Sequence, residues 1–473
     1  MAIYSQTLAA SELSFQPCWL TGSGGNGNLH AECATWQQPL DRSRPDGEQI
    51  DIHVTRLKST ALEPATDAFT LINGGPGGSS IDMLVAFASI ARTFTRERDV
   101  IVIDQRGTGR SSPLTCDGVT ETTEDISIEA TVAITQECLQ ALPHDPRFFT
   151  TTSAVNDLEA LRAALGYEQL SIYGVSYGTR VALQYARQFP ERTRTVVVDG
   201  IIPPTRALGS LIAIHSQAAL DQILARCEED TDCAERFPDI AEQLTVLAEE
   251  LRTQPVKMNI QHPVTGLPTD IELSQVHLAA WLRFSLYSTE TAALIPLIIH
   301  EATARQNYLP IAANALRMIH DISTSLNYGM HNAVVCTEDA PFYDADADLD
   351  AMDATYLGRH IYETLEAVCS IWPQGELNAA LKSPLESSVP TLVLSGELDP
   401  ITPPAWGEEI MPGLSNALHV VAPGQGHGTI ARGCIPKLVV KFVESADLEA
   451  LDTACIDHLA AYPFFVDLMG PPP

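Results

Sequence analysis

Lysine is nearly missing from this chain. Lys58, Lys257, Lys382, Lys437 and Lys441 are the whole complement, and 28 lysines and arginines stand against 60 aspartates and glutamates, a formal net charge of −32. That balance excludes nucleic acid as a partner, because phosphate recognition rests on clustered basic side chains. It fits an acidic surface that resists association, and it raises adaptation to a salty medium as a sharper reading. Long hydrophobic runs are absent as well: no uninterrupted apolar stretch reaches the roughly 18 residues of a membrane-crossing helix. Met1 to Ser14 has neither the basic start nor the apolar segment of a secretory signal, so the expectation is a protein that is not exported or a mature form of one that is. There is no internal repeat, no Cys-x-x-Cys pair and no metal or cofactor motif.

Cysteine, by contrast, is plentiful. The ten cysteines fall into neighbouring couples: Cys18 with Cys33, Cys116 with Cys138, Cys227 with Cys233, Cys336 with Cys369, and Cys434 with Cys455. Sequence alone leaves the connectivity open, and ten separate buried thiols in a cytosolic enzyme is the alternative. Short-range pairing is the economical expectation. It implies an oxidising compartment, hence a secreted or periplasmic protein whose signal is not in the sequence given.

Ile50, Ile52 and Val54 alternate with polar residues, which predicts an antiparallel edge strand. Short apolar runs follow at Phe69 to Asn73, Val100 to Asp104, Leu170 to Tyr173, Val196 to Asp199, Thr391 to Ser395 and Leu418 to Ala422. Such runs suit strands buried on both faces. Helical stripes lie between several of them, as in Val155 to Leu165, stopped by Gly166, and Val181 to Phe189, stopped by Pro190. Strands alternating with helices predict an α/β protein with a mostly parallel sheet. The alternation breaks between about Pro203 and Pro384, where helical periodicity dominates: Ala207 to Cys227, Ile240 to Arg252, Leu273 to Tyr287 and Thr291 to Arg305. The expected organisation is a core in two parts, 1–202 and 385–473, with a helical lid at 203–384. Thr21 to Asn28 is expected as a Gly-rich loop, Asp344 to Asp353 as a solvated acidic loop or helix start, and Gly470 to Pro473 as a frayed tail.

Gly174-Val175-Ser176-Tyr177-Gly178 is a G-x-S-x-G sequence set between a strand run and a helical pattern, the context of a nucleophile elbow. Ser176 is the expected nucleophile. His427, in Gly424-Gln425-Gly426-His427-Gly428 after the last strand run, is the expected base; His419, inside that run, is not. Asp399, in Ser395-Gly396-Glu397-Leu398-Asp399-Pro400, is the expected orienting acid. Asp199 also ends a strand and is its rival. The order Ser, Asp, His is the chain order of the α/β-hydrolase fold. Acyl hydrolysis needs an oxyanion hole, assigned here to the backbone N–H groups of Tyr177 and of Gly75 in Asn73-Gly74-Gly75-Pro76-Gly77-Gly78. Arg106, in Asp104-Gln105-Arg106-Gly107-Thr108-Gly109-Arg110-Ser111, is expected to brace loops rather than touch substrate. The chemistry needs no cofactor.

Together these motifs resemble the proline iminopeptidase and tripeptidyl aminopeptidase group of α/β-hydrolases, over about Cys18 to Phe465. The segment from Gly433-Cys434 to Leu451-Asp452-Thr453-Ala454-Cys455 is similar to the C-terminal region of the tripeptidyl aminopeptidase-like members, which are generally exported and disulfide-bonded. One departure is Asn73, where a histidine often opens the Gly-Gly-Pro-Gly motif. The resemblance implies a serine exopeptidase, acting through an acyl-enzyme on Ser176 upon peptides with a free N-terminus. A substrate ammonium in a closed site needs a carboxylate. Glu338 and Asp339, in Val335-Cys336-Thr337-Glu338-Asp339, are the expected pair, partly because Cys-x-Glu-Asp segments occur in those relatives. A carboxylesterase with the same triad and a non-catalytic binding protein of the same fold remain alternatives.

Overall fold

The computed structural model describes residues 13–22, 27–116, 127–343 and 347–471. The middle of the Gly-rich loop, the start of the acidic run and the last two prolines lie outside the described residues. Among those described, a sheet of nine strands runs in the order β1 (Gln16–Thr21), β2 (Asn28–Pro39), β3 (Gln49–Leu57), β5 (Asp99–Ile103), β4 (Ala68–Ile72), β6 (Leu170–Val175), β7 (Thr193–Asp199), β10 (Thr391–Gly396) and β11 (Ala417–Ala422). The pairs β1–β2, β2–β3 and β3–β5 are antiparallel. Every pair from β5 to β11 is parallel.

The short apolar runs become the parallel strands because both of their faces are covered. In β5, Val100 and Val102 join one apolar cluster while Ile101 and Ile103 join the other. Val197 opposes Val196 and Val198 in the same way. This is the two-residue period of a strand with helices on either side. Thr151–Leu165 and Tyr177–Gln188 cover one face. Ser80–Ala86, Ala88–Phe94 and Ile435–Ser445 cover the other. Pairings of Ile72 with Gly174, Val175 with Asp199, and Leu394 with Asp199 bring the C-terminal ends of four strands to one edge. Ligands of open α/β sheets bind at that edge.

β3 is not an edge strand, contrary to its alternating pattern. β1 and β2 lie outside it; β2 buries Leu29 and Ala31 and then Ala34 and Trp36, its alternation shifting by one residue at Glu32–Cys33. A strand with one wet face alternates whether or not it is last in the sheet. The Cys18–Cys33 disulfide staples β1 to β2. Disulfides join the other four neighbouring couples too: Cys116–Cys138, Cys227–Cys233, Cys336–Cys369 and Cys434–Cys455.

Between β7 and β10 the chain is mostly helical, with one antiparallel hairpin, β8 (Val256–Gln261) and β9 (Pro268–Leu273), that the helical periodicity hid. This stretch packs in two ways. Residues from Ala219 to Met318 build an apolar cluster of their own. Residues from Met330 to Trp372 merge with the core beneath the sheet.

Candidate active site

β6 ends at Val175 and the helix Tyr177–Gln188 starts two residues later. Ser176, between them, sits at φ 56°, ψ −126°. A non-glycine residue holds such a conformation only where its surroundings enforce it. The Ser176 N–H donates to the Asp199 carbonyl at 2.9 Å. The flanking glycines follow from crowding: a Cβ on Gly174 would run into the Gly178 carbonyl, and one on Gly178 into that of Ile72. From the other side, a Cβ on Gly74 would stand 2.7 Å from the Ser176 Cβ. The loop after β4 therefore reaches the serine only through glycine.

Asn73 braces that loop. Its Oδ1 accepts the Gly74 N–H at 2.8 Å, its Nδ2 donates to the Ser79 carbonyl at 2.9 Å, and its own N–H donates to Ser80 Oγ at 3.1 Å. Gly75, at φ 117°, lines the same cavity as Ser176. Tyr177, first in its helix, has no intrahelical acceptor for its N–H. Its buried hydroxyl accepts from Gln105 Nε2 at 3.0 Å and lies 2.8 Å from Thr151 Oγ1.

Asp399 and His427 arrive from the loops after the next two strands, β10 and β11. The Asp399 carboxylate accepts the N–H groups of Ile401 and Thr402 at 2.9 and 2.8 Å and the Thr402 hydroxyl at 2.8 Å. His427 Nδ1 is 2.7 Å from Asp399 Oδ2. Burial works against the Asp399 charge, but His427 and these donors hold its carboxyl below the ordinary range. Burial likewise disfavours the imidazolium, yet Asp399 and, more weakly, Asp199 raise His427 above its ordinary value. The His427 N–H donates to the Tyr287 carbonyl at 3.0 Å, and the two rings meet edge-on at 5.2 Å.

Asp199 does different work. It accepts the N–H and hydroxyl of Thr429, the N–H of Ile430 and the hydroxyl of Tyr173. It pins the loop that carries His427, and burial pushes its carboxyl up. Arg106 is a brace, as its sequence context indicates: it grips Asp157 with two nitrogens and donates to the carbonyls of Leu40 and Phe148.

The expectation for Glu338 and Asp339 is corrected. Neither is among the residues that line the cavity at Ser176. Glu338 accepts the Thr151 N–H at 2.7 Å and the Thr151 hydroxyl at 2.6 Å, and stands 3.7 Å from Arg180. Asp339 takes a two-pronged contact from Arg180 at 2.8 and 2.7 Å, with Lys382 Nζ at 2.8 Å and the Leu208 N–H at 2.9 Å. Burial opposes its charge, but Arg180 and Lys382 hold its carboxyl down at about 2. Both acids are spent fastening the inserted helix Tyr328–Glu338 to the helix that follows Ser176. No sequence pattern announces this, because Arg180 lies about 160 residues away in the chain.

The cavity has a volume of about 670 Å³ and lies between the strand-end loops and the insertion. Asn73, Gly74, Ser176 and His427 line it from the strand-end loops, and Ile212, Phe284, Tyr287, Ile322 and Leu326 line it from the residues between β7 and β10. Sequence reading missed Thr402 and Tyr287. The first had a signal, a threonine three residues after Asp399 in Asp399-Pro400-Ile401-Thr402. The second had none. Among the described residues, no group of three or more His, Cys, Asp or Glu side chains is placed to hold a metal ion.

Residues 67–235 match the α/β-hydrolase fold family and residues 354–455 match the family described as TAP-like protein. The chain is 26% identical to a tripeptidyl aminopeptidase of Streptomyces coelicolor, over 91% of this chain and 84% of the relative. It is 24% identical to the serine protease Hip1 of Mycobacterium tuberculosis, over 87% and 85% of the two chains. Among solved structures, a proline iminopeptidase of Mycobacterium smegmatis aligns with a TM-score of 0.39 and 16% identity, over 88% of this chain and all of that one. The chain is an α/β-hydrolase, an enzyme of the serine hydrolase class. Within that fold it is similar to the tripeptidyl aminopeptidase-like group.

Proposed function

We propose that this chain is an exported serine peptidase that removes a residue or short segment from peptides with a free N-terminus, through an acyl-enzyme on Ser176. The observation that carries the catalytic part is the 2.7 Å pairing of His427 Nδ1 with Asp399, with His427 and Ser176 lining the same cavity. In this reading Ser176 Oγ attacks the scissile carbonyl and its proton passes to His427 Nε2. Asp399 holds the Nδ1–H and stabilises the imidazolium. The N–H groups of Gly75 and Tyr177 receive the oxyanion. His427 then protonates the leaving amine, and water attacks the acyl-enzyme by the same route in reverse. Residues 203–384 act as the lid that keeps bulk water from the cavity. The peptidase part is supported by the two relatives, a tripeptidyl aminopeptidase and a serine protease. The export part is supported by the five disulfides, which persist in oxidising compartments.

A carboxylesterase is the second reading, and one observation favours it. Among the described lining residues the only carboxylate is Asp321, already paired with Arg317 at 2.8 Å. The deciding experiment compares peptides with free and acetylated N-termini, and small acyl esters, with products read by mass spectrometry. Release of short N-terminal fragments from the free peptides alone supports the exopeptidase. Turnover confined to esters establishes the esterase instead.

A further inference from the structure

Three charged side chains besides the histidines line the described wall of the Ser176 cavity: Arg283, Arg317 and Asp321. Arg317 and Asp321 close on each other, one helical turn apart. Arg283 has no Asp or Glu oxygen within ion-pair distance among the described residues. Its Nε is sealed from solvent without a hydrogen-bond partner. Its guanidinium lies 4.8 Å from the Phe284 ring centre, on a side chain that also lines the cavity. It stands four residues before Tyr287, whose carbonyl and ring both meet His427. Arg187, Arg194 and Arg226 are also half-buried without a carboxylate among the described residues, but of the four only Arg283 lines the cavity that holds Ser176. A sequestered charge calls for compensation, and the planar fork of a guanidinium matches a carboxylate in two parallel hydrogen bonds.

We propose that Arg283 is a specificity-determining residue that receives a carboxylate of the substrate at the catalytic cavity. The inference rests on the reading that this cavity is the substrate site. The carboxylate comes either from an Asp or Glu side chain near the scissile bond or from the C-terminus of a short peptide, and both present the same group to the guanidinium.

The test uses the whole enzyme and matched peptides. One arm exchanges Glu for Gln at each position around the bond cut; the other exchanges a C-terminal carboxylate for the amide. The expected result is a kcat/KM preference for the carboxylate of about tenfold or more in one arm, which identifies the source. Arg283→Gln should bring that ratio to about one, and Arg283→Lys should keep part of it. Arg283→Glu should transfer the preference to Lys-bearing peptides, a gain that no folding defect produces. Equal rates on both members of every pair in the wild type, or an unchanged ratio in Arg283→Gln, would overturn the proposal and leave Arg283 as a cation near a helix C-terminus. If the wild type cleaves no peptide, the peptidase reading fails, and the same pairs are titrated by calorimetry into Ser176→Ala with and without Arg283→Gln. Carboxylate-selective binding lost with Arg283 upholds the proposal; equal binding of acid and amide overturns it.

Discussion

His427 Nδ1 sits 2.7 Å from Asp399 Oδ2, which also accepts the Thr402 hydroxyl, while the other carboxylate oxygen takes the N–H groups of Ile401 and Thr402. Burial alone would favour the neutral imidazole, but the Asp399 charge outweighs it and raises His427 above its ordinary value. The imidazole must be neutral to take a proton from Ser176. Activity should therefore fall as pH drops through the His427 value, with the acid limb above that of an ordinary imidazole. Asp399→Asn should shift this limb downward and cost on the order of 10⁴ in kcat, by analogy with other triads. Asp199→Asn should cost far less, because Asp199 holds the loop and not the ring. A pH–rate profile of both variants checks this, and the reverse ranking would move the acid to Asp199.

Gly74→Ala tests the close approach of the oxyanion loop. The added methyl would meet the Ser176 Cβ at 2.7 Å and push the loop away. The expected loss is on the order of 10²-fold in kcat on esters and peptides alike, the scale of a missing oxyanion donor, with little change in melting temperature. Full activity would remove this loop from the site.

Glu338 and Asp339 should behave as structural acids. Asp339→Asn strands Arg180 and Lys382 in the interior, and should destabilise the fold by about 3–5 kcal/mol. The Asp339 carboxyl is held below its unfolded value, so its contribution is present above the unfolded carboxylate range and is lost as pH falls toward about 2. Glu338→Gln should lower cleavage of amine-bearing peptides and neutral esters by the same factor. A loss confined to peptides with a free N-terminus would return Glu338 to substrate recognition.

The net charge of −32 gives a fourth test. If the acidic surface is a salt adaptation, melting temperature and activity should rise from low to molar salt as self-repulsion is screened. A flat or falling response, read by thermal melts across a salt series, would leave the charge as a solubility device.

Local chemistry was legible wherever it was written in consecutive residues. Glycines around Ser176, glycines around His427 and Asp399 after an apolar run each report a strand end with a constrained turn, and short strands buried on both faces show themselves as apolar runs. The disulfide couples were legible because the sequence separations are short, 6 to 33 residues. What stayed hidden depends on distant contact. Glu338 and Asp339 look like free acids until Arg180 and Thr151 are folded against them. β1 and β2 escaped notice because the alternation of β2 shifts by one residue at Glu32–Cys33 and most of β1 is exposed. The hairpin β8–β9 lies in a stretch dominated by helical periodicity. Arg283 carries no motif at all, and its interest comes from the carboxylate it lacks.

The central claim is that Ser176 is the nucleophile activated by the His427–Asp399 pair. The most direct measurement is labelling of the active enzyme with a serine-directed fluorophosphonate, followed by peptide mapping. One adduct per chain, on Ser176, forming in step with loss of activity and absent from a folded Ser176→Ala variant, is the result expected. Inactivation with the adduct on any other residue, or Ser176→Ala retaining turnover, would contradict it.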